Sequence, residues 1–114
     1  FIESCNLRCT HCYQSDYTKE HLPLDKLIEI GNILDRAMQK WGKKGRISLT
    51  GGEPFLKPEL LFPLLDFFEN SNNFYWIGIL TNGTLIDRDI AYKLSRYSKI
   101  SEVQVSIDGS NRAI

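Results

Sequence analysis

Tyr75-Trp76-Ile77-Gly78-Ile79-Leu80-Thr81-Asn82-Gly83 decides how this chain folds. The stretch up to Thr81 is an almost continuous apolar run, the composition of a strand buried on both faces of a parallel sheet. Asn82-Gly83 then makes a turn, and such a pair often announces a hairpin. No second strand follows. Asp87 stands as a helix cap, and Ile90, Ala91, Leu94 and Tyr97 recur at helical spacing. A strand that hands over to a helix returns by a crossover and pairs in parallel.

The same alternation extends in both directions. Downstream, Glu102 to Ile107 reads as a strand, with Val103, Val105 and Ile107 on one face and Gln104, Ser106 and Asp108 on the other. Upstream, Asn70-Ser71-Asn72-Asn73 is a loop. It follows a helix that Pro58 can open and that Leu60, Leu61, Leu64, Leu65, Phe67 and Phe68 supply with an apolar face. Pro63 should either kink that helix or mark its true start after an irregular turn. Arg46 to Thr50 is a strand closed by Gly51-Gly52-Glu53-Pro54. Leu24 to Trp41 carries a helical stripe that Ile30 and Ile33 widen, ended by Gly42 and Gly45. Phe1 to Ser4 is a short strand or its last part. The order β-α-β-α-β-α-β predicts an α/β fold with parallel strands, in which ligands gather where the βα loops emerge.

Size and charge narrow the possibilities. A chain of 114 residues, 42% hydrophobic and 25% charged, suits one globular domain. With 14 basic and 14 acidic residues there is no electrostatic footprint for nucleic acid. No apolar run approaches transmembrane length and no signal-peptide pattern opens the chain, so neither a membrane nor export is expected. The chain starts at Phe1 in what reads as a strand and stops at Asn111-Arg112-Ala113-Ile114 just after a strand–turn signal. Both ends are therefore expected to be cut from a longer protein.

All the cysteine falls in the first loop, Cys5-Asn6-Leu7-Arg8-Cys9-Thr10-His11-Cys12-Tyr13. Four thiolates normally hold a cubic iron–sulfur cluster. Three leave one iron open to a substrate or cofactor. Other readings are weaker. Core cysteines would not be crowded among Asn6, Arg8, Thr10 and His11. A structural zinc site would have to recruit His11 or His21, and zinc ligands usually come as two separated pairs. A disulfide would strand the odd thiol. A labile cluster suits a reducing cytoplasm. The remaining polar residues collect at the other strand ends. Gly51 and Gly52 lack β-carbons, so a ligand can lie against the backbone; Glu53 can accept hydrogen bonds from an ammonium group. Thr81 and Ser106 end strands and offer hydroxyls, or satisfy local backbone. Asp108 before Gly109 is a turn residue or a ribose ligand. His11 is placed to lie against an aromatic ligand, and His21 reads as a solvated loop residue.

Together these residues resemble the radical S-adenosylmethionine (radical SAM) superfamily. The family's CxxxCxΦC motif is matched by Cys5, Cys9, His11 and Cys12, and its GGE motif by Gly51-Gly52-Glu53, extended by Pro54. Leu80-Thr81-Asn82-Gly83 and Val105-Ser106-Ile107-Asp108-Gly109 are similar to strand ends of the peptide-modifying and sulfatase-maturing, SPASM-type branch. The resemblance implies the N-terminal part, about four βα units, of a parallel partial (β/α)6 barrel, with residues 1–114 as an incomplete radical SAM core and the edge of the last strand exposed.

It further implies that Cys5, Cys9 and Cys12 hold a 4Fe–4S cluster whose fourth iron chelates the amino and carboxylate groups of SAM. Gly51, Gly52 and Glu53 would bind the amino group. Thr81 and Ser106 would contact the carboxylate or ribose, Asp108 would join the cofactor site, and the backbone around His11 would contact adenine. Reductive cleavage of SAM would give a 5′-deoxyadenosyl radical that abstracts hydrogen from substrate. A peptide or protein side chain is the expected substrate (a maturase), with a flavodoxin or ferredoxin as electron donor. The alternatives are a radical SAM enzyme acting on a small molecule in cofactor biosynthesis and a non-catalytic metal-binding module.

Overall fold

The apolar run around Ile77 forms the central strand of a three-stranded sheet in the computed structural model, which describes residues 1–14 and 16–109. The elements are α1 (Leu24–Trp41), β1 (Gly45–Leu49), α2 (Pro58–Asn70), β2 (Phe74–Thr81), α3 (Arg88–Ser95) and β3 (Ile100–Val105). A 3₁₀ turn over Pro54–Leu56 precedes α2. Both strand pairs are parallel, in the order β1-β2-β3. Asp87 caps α3 as expected, its Oδ1 accepting from Ile90 N at 2.8 Å. The strand–turn end expected at Asn111–Ile114 lies outside the described residues.

Period-two alternation along β2 sends Ile77 and Ile79 into the core, where both are fully buried with Leu61 and Leu65 of α2. Leu60, Leu64, Phe68 and Leu49 complete that layer. On the opposite face the Trp76 ring reaches across Gly78, and the Arg46 guanidinium stacks on it at 4.1 Å.

Four expectations need correction. Phe1–Ser4 is no strand of the sheet: Ile2 makes one isolated antiparallel bridge, to His21. The segment instead runs beside Thr50–Glu53, past the end of β1, so it docks on a loop and extends no ladder. Three strands stand where four were read. Pro63 does not start α2, which opens at Pro58 and runs through it to Asn70. Ile30 and Ile33 are 44% and 53% exposed, because α1 turns Leu27 and Gly31 inward, the latter against the Phe67 ring. Finally, β3 ends at Val105, and its Val103 and Val105 stay 37% and 43% exposed.

The start of β3 is tied back to the end of α2. Glu69 accepts hydrogen bonds from Ser98 N at 2.7 Å, Ser98 Oγ at 2.5 Å and Lys99 N at 3.0 Å. Burial pushes its carboxyl up, but those bonds and the Lys99 charge outweigh burial and hold it below the usual carboxylate range. A depressed folded-state pKa stabilises the fold above the unfolded-state value, and this contribution is lost as pH falls through the folded value. Glu69→Gln is therefore expected to destabilise the protein at neutral pH. The difference from wild type in chemical denaturation should narrow as pH drops through the carboxylate range, and a difference that stays constant across that range would contradict the assignment.

Candidate functional site

Two glycines and two carbonyls set the position of the cysteine loop. Gly52 N donates to Ile2 O at 2.7 Å, and Glu53 N donates to Ser4 O at 2.8 Å. The approach is so close that a β-carbon on Gly51 would sit 2.2 Å from Ile2 O, and one on Gly52 would sit 2.1 Å from Ser4 O. Both are backbone contacts that cannot yield. The space expected for a ligand beside these missing β-carbons is thus filled by the chain itself. Cys5 follows directly, and a turn with Cys12 N donating to Cys9 O at 3.1 Å brings the last two cysteines round.

Cys5, Cys9 and Cys12 are free thiols lining one cleft of about 660 Å³. The loops after all three strands meet there: Gly51 and Gly52 after β1, Thr81 and Asn82 at the end of β2, Ser106 and Asp108 after β3. His11 closes one side, its Nε2 3.3 Å from Asp108 Oδ1. His21 lies away from the cleft and contacts Leu22 O through Nδ1. Among the described residues, no three His, Cys, Asp or Glu side chains stand close enough together to hold a single metal ion.

Glu53, expected to receive an amino group, has hydrogen-bond partners within the protein. It is fully buried and does not line the cleft. Oε1 accepts from Thr81 Oγ1 at 2.6 Å and Phe55 N at 3.1 Å, and Oε2 accepts from Asn82 N at 2.8 Å. The carboxylate is an internal staple between the ends of β1 and β2. Thr81, which lines the cleft at the end of β2, shares this bonding. Its hydroxyl, buried at 4% exposure, donates to Glu53 and accepts from Gly83 N at 3.0 Å, leaving it committed within the protein.

Sulfur acceptors are well supplied with donors. Leu7 N lies 3.4 Å and Asn82 Nδ2 3.9 Å from Cys5 Sγ. A hydrogen bond from the Tyr17 hydroxyl, helped by the Gln14 backbone, lowers the Cys12 thiol from its ordinary value against a smaller effect of burial. Tyr17 is pushed up to about 12 by the same hydrogen bond, with burial and the nearby cysteines adding to it. N–H and O–H groups aimed at sulfur are what thiolates need, and three soft donors of this kind suit iron–sulfur chemistry. Sequence reasoning missed Asn82, Thr84, Asn6 and Tyr17. Asn82 was legible only as a turn residue, and the other three carry no spacing signal.

Comparison with known proteins places the chain in a family. The sequence model of the radical SAM superfamily matches residues 1–114. The chain is 32% identical over 104 residues to a probable GTP 3′,8-cyclase of Methanococcus maripaludis, covering 91% of this chain and 33% of that protein. It is 36% identical over 105 residues to Fe-coproporphyrin III synthase of Methanosarcina barkeri, covering 92% of this chain and 25% of that protein. A GTP 3′,8-cyclase of Picosynechococcus sp. is 29% identical over 112 residues, with 96% and 33% covered. The chain thus spans a third or less of the length of these relatives.

Two substitutions in the full-length protein separate docking from ligand contact. Gly52→Ala should displace residues 1–5 and lose most of the iron that the protein takes up on anaerobic reconstitution; iron content equal to wild type would show that the close approach is not required. Glu53→Ala leaves two buried donors, Phe55 N and Thr81 Oγ1, and the half-buried Asn82 N without an acceptor, each buried one costing about 1–3 kcal/mol. Denaturant unfolding should register a loss of roughly 3 kcal/mol or more, whereas a purely ligand-facing Glu53 would leave stability unchanged.

Proposed function

The chain belongs to the radical SAM superfamily, and from that premise we propose that it forms the cofactor-binding part of an enzyme acting on a small molecule. Cys5, Cys9 and Cys12 are the three thiolate ligands of its 4Fe–4S cluster. The observation that carries the reading is the meeting of these thiols with the ends of β1, β2 and β3 around one cleft. Enzymes of the family use a 4Fe–4S cluster and SAM; when bound, the cluster supplies the electron for reductive cleavage of SAM.

The protein's own residues hold, orient and shield. The loop from Cys5 to Cys12 would hold the cluster through its three thiols. Gly51 and Gly52 bring backbone to the cleft wall. Ser106 and Asp108 stand at the end of β3 and offer a hydroxyl and a carboxylate to the polar part of SAM. His11, held by Asp108, sits beside the third cysteine, where its ring and backbone would border the adenine. Glu53 and Thr81 keep the rim in shape from below.

The relatives move the substrate away from the expected peptide. Their names specify GTP cyclisation and Fe-coproporphyrin III synthesis, both small-molecule reactions. They support the small-molecule alternative, and the peptide-maturase expectation gives way to it. Radical SAM enzymes take their electron from a donor, and a flavodoxin or ferredoxin fills that role here. No helix of the described residues is long and apolar enough to cross a membrane. The exposed Cys9 thiol suits a reducing cytoplasm.

Anaerobic reconstitution of the full-length protein with iron and sulfide tests this. A brown protein whose electron paramagnetic resonance signal changes on adding SAM is expected, and Cys9→Ala should abolish the cluster. Stoichiometric zinc without any SAM response would overturn the proposal. An intact cluster in the Cys9 variant would overturn the ligand assignment.

A further inference from the structure

Asn82 belongs to the turn after β2, yet its side chain reaches the first cysteine. Its Nδ2 lies 2.9 Å from Asn6 Oδ1 and 3.9 Å from Cys5 Sγ, so its two N–H groups serve two acceptors on the cysteine loop. The amide cannot be turned over. Its Oδ1 accepts from Thr84 N at 3.0 Å and from Thr84 Oγ1 at 2.7 Å, and a backbone N–H can only donate. Asn6 Nδ2 donates to Thr84 Oγ1 at 2.9 Å, which closes a ring of three side chains. Glu53 Oε2 fixes the Asn82 backbone from beneath at 2.8 Å.

We infer that Asn82 is a positioning residue that tunes the reduction potential of the iron–sulfur cluster by donating a hydrogen bond to Cys5 Sγ. The inference rests on the reading above that Cys5 is a cluster ligand. Adding an electron makes the cluster and its sulfurs more negative. A donor aimed at a ligand sulfur therefore favours the reduced form and raises the potential. Leu7 N makes a second contact with the same sulfur at 3.4 Å, and side-chain substitution leaves it in place. Asn82 thus supplies the adjustable part of the donation to Cys5, and Thr84 and Asn6 hold it on target.

Redox titration of the reconstituted full-length protein, followed by electron paramagnetic resonance, reads this directly. Asn82→Ala should keep its cluster and shift the midpoint to more negative potential. Thr84→Val should shift it in the same direction by less, because Thr84 N still holds the amide. A loaded Asn82→Ala protein with the wild-type midpoint would overturn the inference. If that variant takes up no cluster, Thr84→Val decides: a negative shift supports the inference and an unchanged midpoint overturns it. A wild-type protein that forms no 4Fe–4S cluster overturns the cluster reading itself and this inference with it, whereas loaded wild type with unshifted variants overturns this inference alone.

Discussion

The carbonyl oxygens of Ile2 and Ser4, pressed against the amides of Gly52 and Glu53, fix where the cysteine loop stands. Everything functional on this rim depends on that contact. The N-terminal segment adds no strand to the sheet and has only one bridge of its own. Its position is therefore inherited from the end of β1. Side chains at Gly51 or Gly52 would push the segment away by direct collision with backbone oxygen. The glycine pair is a requirement of packing before it can be a feature of ligand binding.

Beneath that contact, Glu53 couples the loops after β1 and β2. Burying a carboxylate is costly unless its oxygens are well supplied with donors. Glu53 meets three of them, from Phe55, Thr81 and Asn82, and appears in no ion pair among the described residues. The arrangement makes the rim one connected body: the first loop is bound to the second, the second to the third, and Asn82 returns from the third to Cys5 and Asn6.

Much of this was legible in the sequence because it follows from period and spacing. The apolar run of β2 and the Asp87 cap identify a parallel α/β fold without ambiguity, and the three cysteines mark the chemistry. What stayed illegible has physical reasons. Phe1–Ser4 has the composition of a strand, but pairing with a loop leaves no trace in alternation. The bonds of Glu53 to Phe55, Thr81 and Asn82 leave no trace beside the two glycines, because a sequence shows charge and not burial. Ile30 and Ile33 fit a helical stripe, yet the rotation of α1 that turns Gly31 inward depends on Phe67, distant in sequence. Asn82 is masked by its turn-forming neighbour Gly83, which explains the residue type without its side chain.

The stacked pair on the far face of the sheet gives the protein an optical handle. Trp76 precedes Thr81 by five positions in β2, which puts its indole on the order of 17 Å from the rim at the usual rise of an extended chain. It is held against Arg46, while Trp41 at the end of α1 is 64% exposed to water. The two indoles should therefore emit at different wavelengths, the sheltered one further to the blue. A visible-absorbing inorganic chromophore bound at the rim lies within energy-transfer range of Trp76, so filling of the cleft can be followed by the dimming of native fluorescence, without a label.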